Sequence, residues 1–285
     1  MKVNKAIGTK NVIKTLIKGL GKYTIESGII YFKSLLRGSV LFAAEAMVNL
    51  KEKDIKLLEK AEESTLRDLL KTEFSAPRHL LYLELGIIPA RYVIKHRKIM
   101  HLKHILSQNT DSLMRKVFNA QVKTPSKGDW TSEVRSILKE LKIHKTFDEI
   151  EAISKTNFAT IVKIAIKKHA FEYLIAIQKQ KQKGRDIKYT HLNIQPYFRT
   201  IENINLKLQR EIFALRTQMN HIPANFCSSS QVQKCEKCNA DMNNYHLFQC
   251  TRKNINSITY HHILNGNILE QKIALKYMNE NETEE

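Results

Sequence analysis

Apolar residues in this chain return at the spacing of an α-helix, and little interrupts them. Across DIKLLEKAEESTLRDLL (54–70), Ile55, Leu58, Leu66, Leu69 and Leu70 fall on one face, with Lys56, Glu63 and Asp68 opposite. In TSEVRSILKEL, Val134, Ile137, Leu138 and Leu141 repeat at i, i+3, i+4 and i+7. Thr146 and Glu149 in TFDE have the spacing of a capping box, which predicts a short helix starting there. Ile164, Phe171, Leu174 and Ile175 mark a longer helix, and Leu208, Ile212, Leu215 and Met219 mark another. Nine glycines and five prolines in 285 residues are too few turns for a strand-rich architecture. IKYTHLNI (187–194) gives a weak hint of extended structure. The expected fold is therefore mainly α, a multi-helix bundle.

Polar, punctuated stretches suggest how it divides. QVKTPSKGDW (121–130) carries Pro125 and Gly128 and has the composition of a linker or long surface loop. QKQKGRDIK (180–188) is a charged connection, and HIPANFCSSSQVQ (221–233) separates the last long helix from a cysteine-rich C-terminal stretch. These predict a basic helical region over 1–120, a second helical region over 121–220, and a small C-terminal unit over 221–285 that ends in an acidic tail. With 42% hydrophobic residues, the chain can bury one large core or two small ones.

The charge balance narrows the partners. There are 47 basic against 28 acidic residues, a formal net charge of +19. A field of that sign favours polyanions, whether nucleic acid or an anionic membrane surface, although lysines also serve solubility alone. The most apolar run, SVLFAAEAMVNL (39–50), contains Glu45 and is too short to cross a bilayer, so no membrane span is expected. The N-terminal MKVNKAIGTKNVIKTLIK lacks the arginines of a transit peptide and the cleavage site of a secretory one, and suits the start of a basic helix. An intracellular protein of nucleus or cytoplasm is expected. In such a reducing compartment clustered thiols bind metal rather than pair.

Such a cluster is present in CEKCNADMNNYHLFQC (235–250). Cys235 and Cys238 can face one ion from a tight turn, and His246 and Cys250, four apart, can do so from one helical turn. So small a segment has no core of its own, and zinc would supply its folding free energy, on the order of 10 kcal/mol. Four protein ligands leave no open coordination position, so the expected zinc is structural. Cys227 is left over as a free thiol.

Two stretches carry the basic character. RYVIKHRKIMHLKH (91–104) offers Arg91, Lys95, Arg97, Lys98 and Lys103 with no acidic residue, and Ile94, Met100, Leu102 and Ile105 as its buried positions. Its histidines, His96, His101 and His104, fit the helix surface better than a metal site. The second stretch, 163–188, offers Lys163, Lys167, Lys168, Lys181, Lys183 and Arg185. Both are candidates for phosphate contact. Catalytic patterns are missing: GLGKYT (19–24) lacks the first glycine of a phosphate-binding loop, no two aspartates are adjacent, and no H-E-x-x-H occurs. The chain as it stands is not expected to be an enzyme.

In order, LLRGSVLFAAEAM (35–47), HLLYLELGIIPAR (79–91), GDW (128–130), FALRTQMN (213–220) and the final C-x2-C…H…C resemble the C-terminal part of non-LTR retrotransposon reverse transcriptases. The resemblance runs over roughly residues 10 to 265. It implies a helical thumb over 1–120, a helical linker over 121–220, and a zinc knuckle formed by Cys235, Cys238, His246 and Cys250. It also implies RNA or DNA as partner, and association with a polymerase-containing chain. The aromatic-x-Asp-Asp motif of the family's RNA-directed DNA polymerase is absent, so the expectation is a non-catalytic, nucleic-acid-binding fragment. The competing expectation is a helical protein-interaction scaffold with a structural zinc.

Overall fold

A computed structural model describes residues 24–72, 76–126, 128–181, 184, 186–199 and 204–218, together with 8, 9, 11–13, 15, 16, 234, 260–265, 267, 269–271 and 273. The described residues are mainly helical, with no named strand. In chain order, α1 (Ile25–Tyr31) runs through a π-helical turn (Phe32–Leu36) into α2 (Arg37–Val40). Then come α3 (Glu52–Leu70), α4 (Arg78–Leu85), α5 (Ala90–Leu106), α6 (Leu113–Lys123), α7 (Trp130–Glu140) and α8 (Phe147–Ala152). A long α9 (Lys155–Lys179), a 3₁₀ turn (Pro196–Phe198), α10 (Leu206–Arg216) and α11 (Tyr260–Asn265) complete the order. Extended backbone in 187–194 reduces to one antiparallel bridge, Ile194 to Leu85.

The chain folds into two compact units, each assembled from separated stretches: Met1–Leu16, Tyr31–Glu63 and Ile88–Tyr173 in the first, and Ile17–Ile30, Ser64–Ile87 and Leu174–Glu285 in the second. The expected linker at 121–130 is instead the end of α6 and a short turn into α7.

In the first unit α5 packs against α6, α7 and α8. The α7 stripe is as its spacing predicts, with Val134, Ile137, Leu138 and Leu141 all buried. The α8 capping box is also present: the Glu149 amide donates to Thr146 Oγ1 at 3.2 Å, and the Thr146 amide donates back to Glu149 Oε2 at 2.6 Å. On α9 the buried stripe is Phe158, Val162, Ile166 and Ala170, one residue per turn, while Ile164 is 64% exposed. Ile164 was expected to face inward; it lies off the i, i+4 repeat that carries the stripe, whereas the expected Leu174 continues that repeat and is buried.

The polar side of α3 is also not what its pattern suggested. Glu59, Glu62 and Glu63 are buried. Glu62 accepts Arg37 Nε at 2.6 Å and the Ala90 amide at 3.1 Å, so a buried carboxylate sits at the N-terminus of α5, where the helix dipole favours it. Arg37 also donates to the Ile88 carbonyl, and Trp130 Nε1 to the Glu45 carbonyl at 2.8 Å. In GDW, the Asp129 side chain accepts from the amides of Ser132 (2.6 Å) and Ser126 (2.7 Å). Those hydrogen bonds hold the Asp129 carboxyl well below the usual carboxylate range. Gly128 has φ +86° and its carbonyl accepts from Asn49.

The second unit is organised around one buried carboxylate. Glu84, near the end of α4, is fully buried. It accepts Arg216 Nε at 3.0 and 3.2 Å, Arg216 Nη2 at 3.0 Å, and the hydroxyls of Tyr197 (2.6 Å) and Tyr189. Arg216, at the end of α10, also donates to the carbonyls of Ile263 and Leu264 in α11, supplying partners that a helix C-terminus lacks. Burial first, and then the Glu84 charge, push both tyrosine hydroxyls well above their ordinary range. One residue beyond α4's end, Gly86 adopts φ +62°, and a Cβ there would lie 2.1 Å from the Ile194 amide nitrogen. The Gln195 amide donates to the Glu84 carbonyl at 2.9 Å. LELGIIPAR therefore combines a helix, its left-handed cap and a close backbone crossing.

Candidate nucleic-acid interface

The first basic stretch is α5, and most of its charge is bound inside the first unit. Arg91 makes a two-pronged contact with Glu59 (2.7 and 2.9 Å), reaches Glu52 at 3.0 Å, and lies 5.0 Å from the centre of the Tyr173 ring. Hydrogen bonding to Glu59 raises its already high pKa further against the opposing effect of burial. Lys95 pairs with Glu140 at 2.5 Å and lies 5.1 Å from the Tyr92 ring centre. Burial, helped by Glu140, pushes the Tyr92 hydroxyl up to about 12.

Lys98 is 0% exposed and bonded to Glu133. Lys103 is buried and donates to the carbonyls of Ile150 and Glu151, both at 2.9 Å, at the end of α8. Buried ammonium groups satisfied in this way cannot meet a phosphate without unfolding their surroundings. Lys98 and Lys103 are thus corrected from surface contacts to internal ones. Arg97 keeps a third of its side chain exposed while donating to the Leu41 carbonyl. Of the expected buried positions, Ile94, Leu102 and Ile105 are buried, and Met100 is half-buried.

The second stretch behaves differently. On α9, Lys163 and Lys168 are exposed and Lys167 is half-buried. Lys163 lies close enough to α5 that its charge, after burial and Arg97, lowers the pKa of His96. The fold therefore brings the charges of Arg97 and Lys163 together around His96 in the first unit, with Glu45 3.9 Å from Arg97. His101, edge-on to Trp130 with ring centres 5.6 Å apart, is likewise lowered by burial and then by His104. These histidines stay neutral near pH 7 and offer hydrogen bonds rather than charge.

In the second unit Lys181 is exposed, just beyond α9. Lys183 and Arg185 lie outside the described residues, as do Cys227 and the candidate zinc ligands Cys235, Cys238, His246 and Cys250. Among the described residues no group of three or more His, Cys, Asp or Glu side chains could hold a metal ion. None of the described helices is long and apolar enough to cross a membrane.

What sequence reasoning missed is the set of acids that neutralise α5. Glu59, Glu133 and Glu140 stand 32, 35 and 45 residues from Arg91, Lys98 and Lys95. No local pattern links such pairs. Chemically, the patch around Lys163 can bind phosphate oxygens without reading bases. Comparison with protein-family models gave no match, and neither curated proteins nor solved structures yielded a similar chain.

Proposed function

We propose that this chain binds nucleic acid without catalysis, in the manner its resemblance to the region after the palm of non-LTR retrotransposon reverse transcriptases implies. The observation that carries this reading is that Arg97 and Lys163 are brought together in the first unit, with Lys168 a further exposed lysine on α9, on a chain of net charge +19. Lysines and an arginine on rigid helices would grip the phosphate backbone of a template, primer or target, largely regardless of sequence. Cys235, Cys238, His246 and Cys250 would hold one structural zinc, a reading supported by their types and spacing. A polymerase-containing chain would supply any chemistry.

The test is a titration of labelled RNA hairpin and duplex DNA across a salt series. Each neutralised phosphate contributes about −0.9 to the log–log slope on duplex and about −0.7 on single strands. Lys163→Gln with Lys168→Gln should flatten the slope by about one to two units and weaken all sequences alike. Both side chains are exposed, so helicity should hold. A flat salt response in the unsubstituted protein refutes nucleic-acid binding. The alternative, a helical protein-interaction scaffold, draws support from one specific feature, the exposed apolar face of α6.

A further inference from the structure

We propose that the outer face of α6 docks an acidic amphipathic helix of a partner protein. The inner face of α6 is fixed to its own unit. Arg115 is buried and donates to Glu151 at 2.6 Å, and Phe118 is buried with its ring centre 5.3 Å from that of Phe147. The helix starts on a Ser112 cap, whose hydroxyl accepts the Arg115 amide at 3.3 Å. The opposite face is therefore presented rigidly, and it is apolar: Leu113 is 79% exposed, Val117 51% and Met114 42%. Leu113, Val117 and the exposed Ala120 follow i, i+4, i+7, the spacing of a helix-on-helix seam.

Charge selects the occupant. Lys116 and Lys123 are exposed beside the seam; Lys116 also meets Asp111 at 3.4 Å, an exposed surface pair that a partner carboxylate can replace, and no acidic residue occurs from there to Asp129. A second copy of this chain would set lysine against lysine across a two-fold contact, on a molecule already at +19. A nucleic acid finds no base-stacking ring at Leu113, Met114 or Val117. An anionic membrane needs a broader apolar face with aromatic anchors than this seam, one or two side chains wide, provides. A helix with Leu or Ile at matching spacing and Asp or Glu on both flanks satisfies seam and lysines together. The proposal is independent of whether the patch on α9 binds nucleic acid.

The test uses the full chain and three probes: a fluorescein-labelled amphipathic peptide with leucines at i, i+4, i+7 flanked by glutamates, the same peptide with lysines in place of the glutamates, and vesicles of phosphatidylserine and phosphatidylcholine. The acidic peptide should bind by fluorescence anisotropy at least tenfold more tightly than the lysine peptide. Leu113→Ser with Val117→Ser should weaken it tenfold or more without changing net charge, which separates docking on the seam from attraction to a basic protein. Lys116→Glu with Lys123→Glu should invert the preference between the peptides, and circular dichroism should show unchanged helicity in all variants. Absence of acidic-peptide binding, or binding indifferent to the serine pair, overturns the proposal. So does vesicle binding that the serine pair abolishes while peptide binding persists.

Discussion

Removing Glu84 while leaving Arg216 should be among the most damaging single changes to the second unit. Arg216 is 3% exposed and Glu84 fully buried, so Glu84→Leu would strand a guanidinium and two tyrosine hydroxyls that now donate to the carboxylate. Breaking a buried pair from one side costs about 3–5 kcal/mol, against roughly 5–15 kcal/mol for a whole domain. Arg216→Met should cost a similar amount, because it strands Glu84 and also uncaps the carbonyls of Ile263 and Leu264. The double variant removes both buried charges, so its cost should fall short of the summed single costs by about 2–3 kcal/mol.

Hydrogen exchange by mass spectrometry is the assay that resolves this, since it reports opening of α4 and α10 separately from the first unit. Glu84→Leu should speed exchange in residues 78–85 and 206–216 by about 10²–10⁴-fold, at 1.36 kcal/mol per tenfold. Amides of α7 and α8 should change far less. Additive single and double variants, or equal loss of protection in α7, would refute the idea that this carboxylate organises its unit.

Gly86→Ala should destabilise by about 2 kcal/mol or more in thermal denaturation, because φ +62° and the Ile194 backbone 2.1 Å away both exclude a Cβ. Gly38→Ala, with nothing within 4 Å, should be neutral or stabilising by up to about 1 kcal/mol. His79 is buried, and burial, with the Lys181 charge, pushes it down from an ordinary 6.5 to about 4. The unfolded chain therefore binds the proton first on acidification. Stability should be intact above pH 6.5 and decline by up to about 3 kcal/mol as pH falls to 4; urea midpoints of His79→Leu should show a flatter dependence across that window. Elemental analysis should find one zinc per chain, lost in Cys235→Ser and Cys250→Ser, while the helices of 24–218 keep their circular dichroism signal after chelation.

Local signals were legible where one element carries the whole cause. The Val134–Leu141 stripe and the Thr146–Glu149 box are satisfied within a turn or two, so spacing alone predicts them. On α9 the same reasoning found the helix and the buried Leu174 but misplaced Ile164, which is exposed because the buried repeat runs through Phe158, Val162, Ile166 and Ala170. Of the candidate interface, the sequence supplied the residue types on α5 and α9 but not their exposure. Arg97 and Lys98 are neighbours in the chain, yet one keeps a surface face and the other is sealed against Glu133.

By itself, then, the sequence determined a mainly helical chain, where several helices begin, and a strongly positive charge, because helical periodicity, capping and composition are properties of neighbouring residues. Tertiary structure alone decided which charges face solvent. The acids that bind Arg91, Lys95 and Lys98 arrive from 32 to 45 residues away, and Glu84 meets Arg216 across 132. Burial of an ion is tolerable only when such a partner is brought to it, and that meeting depends on the packing of helices, which no local pattern encodes.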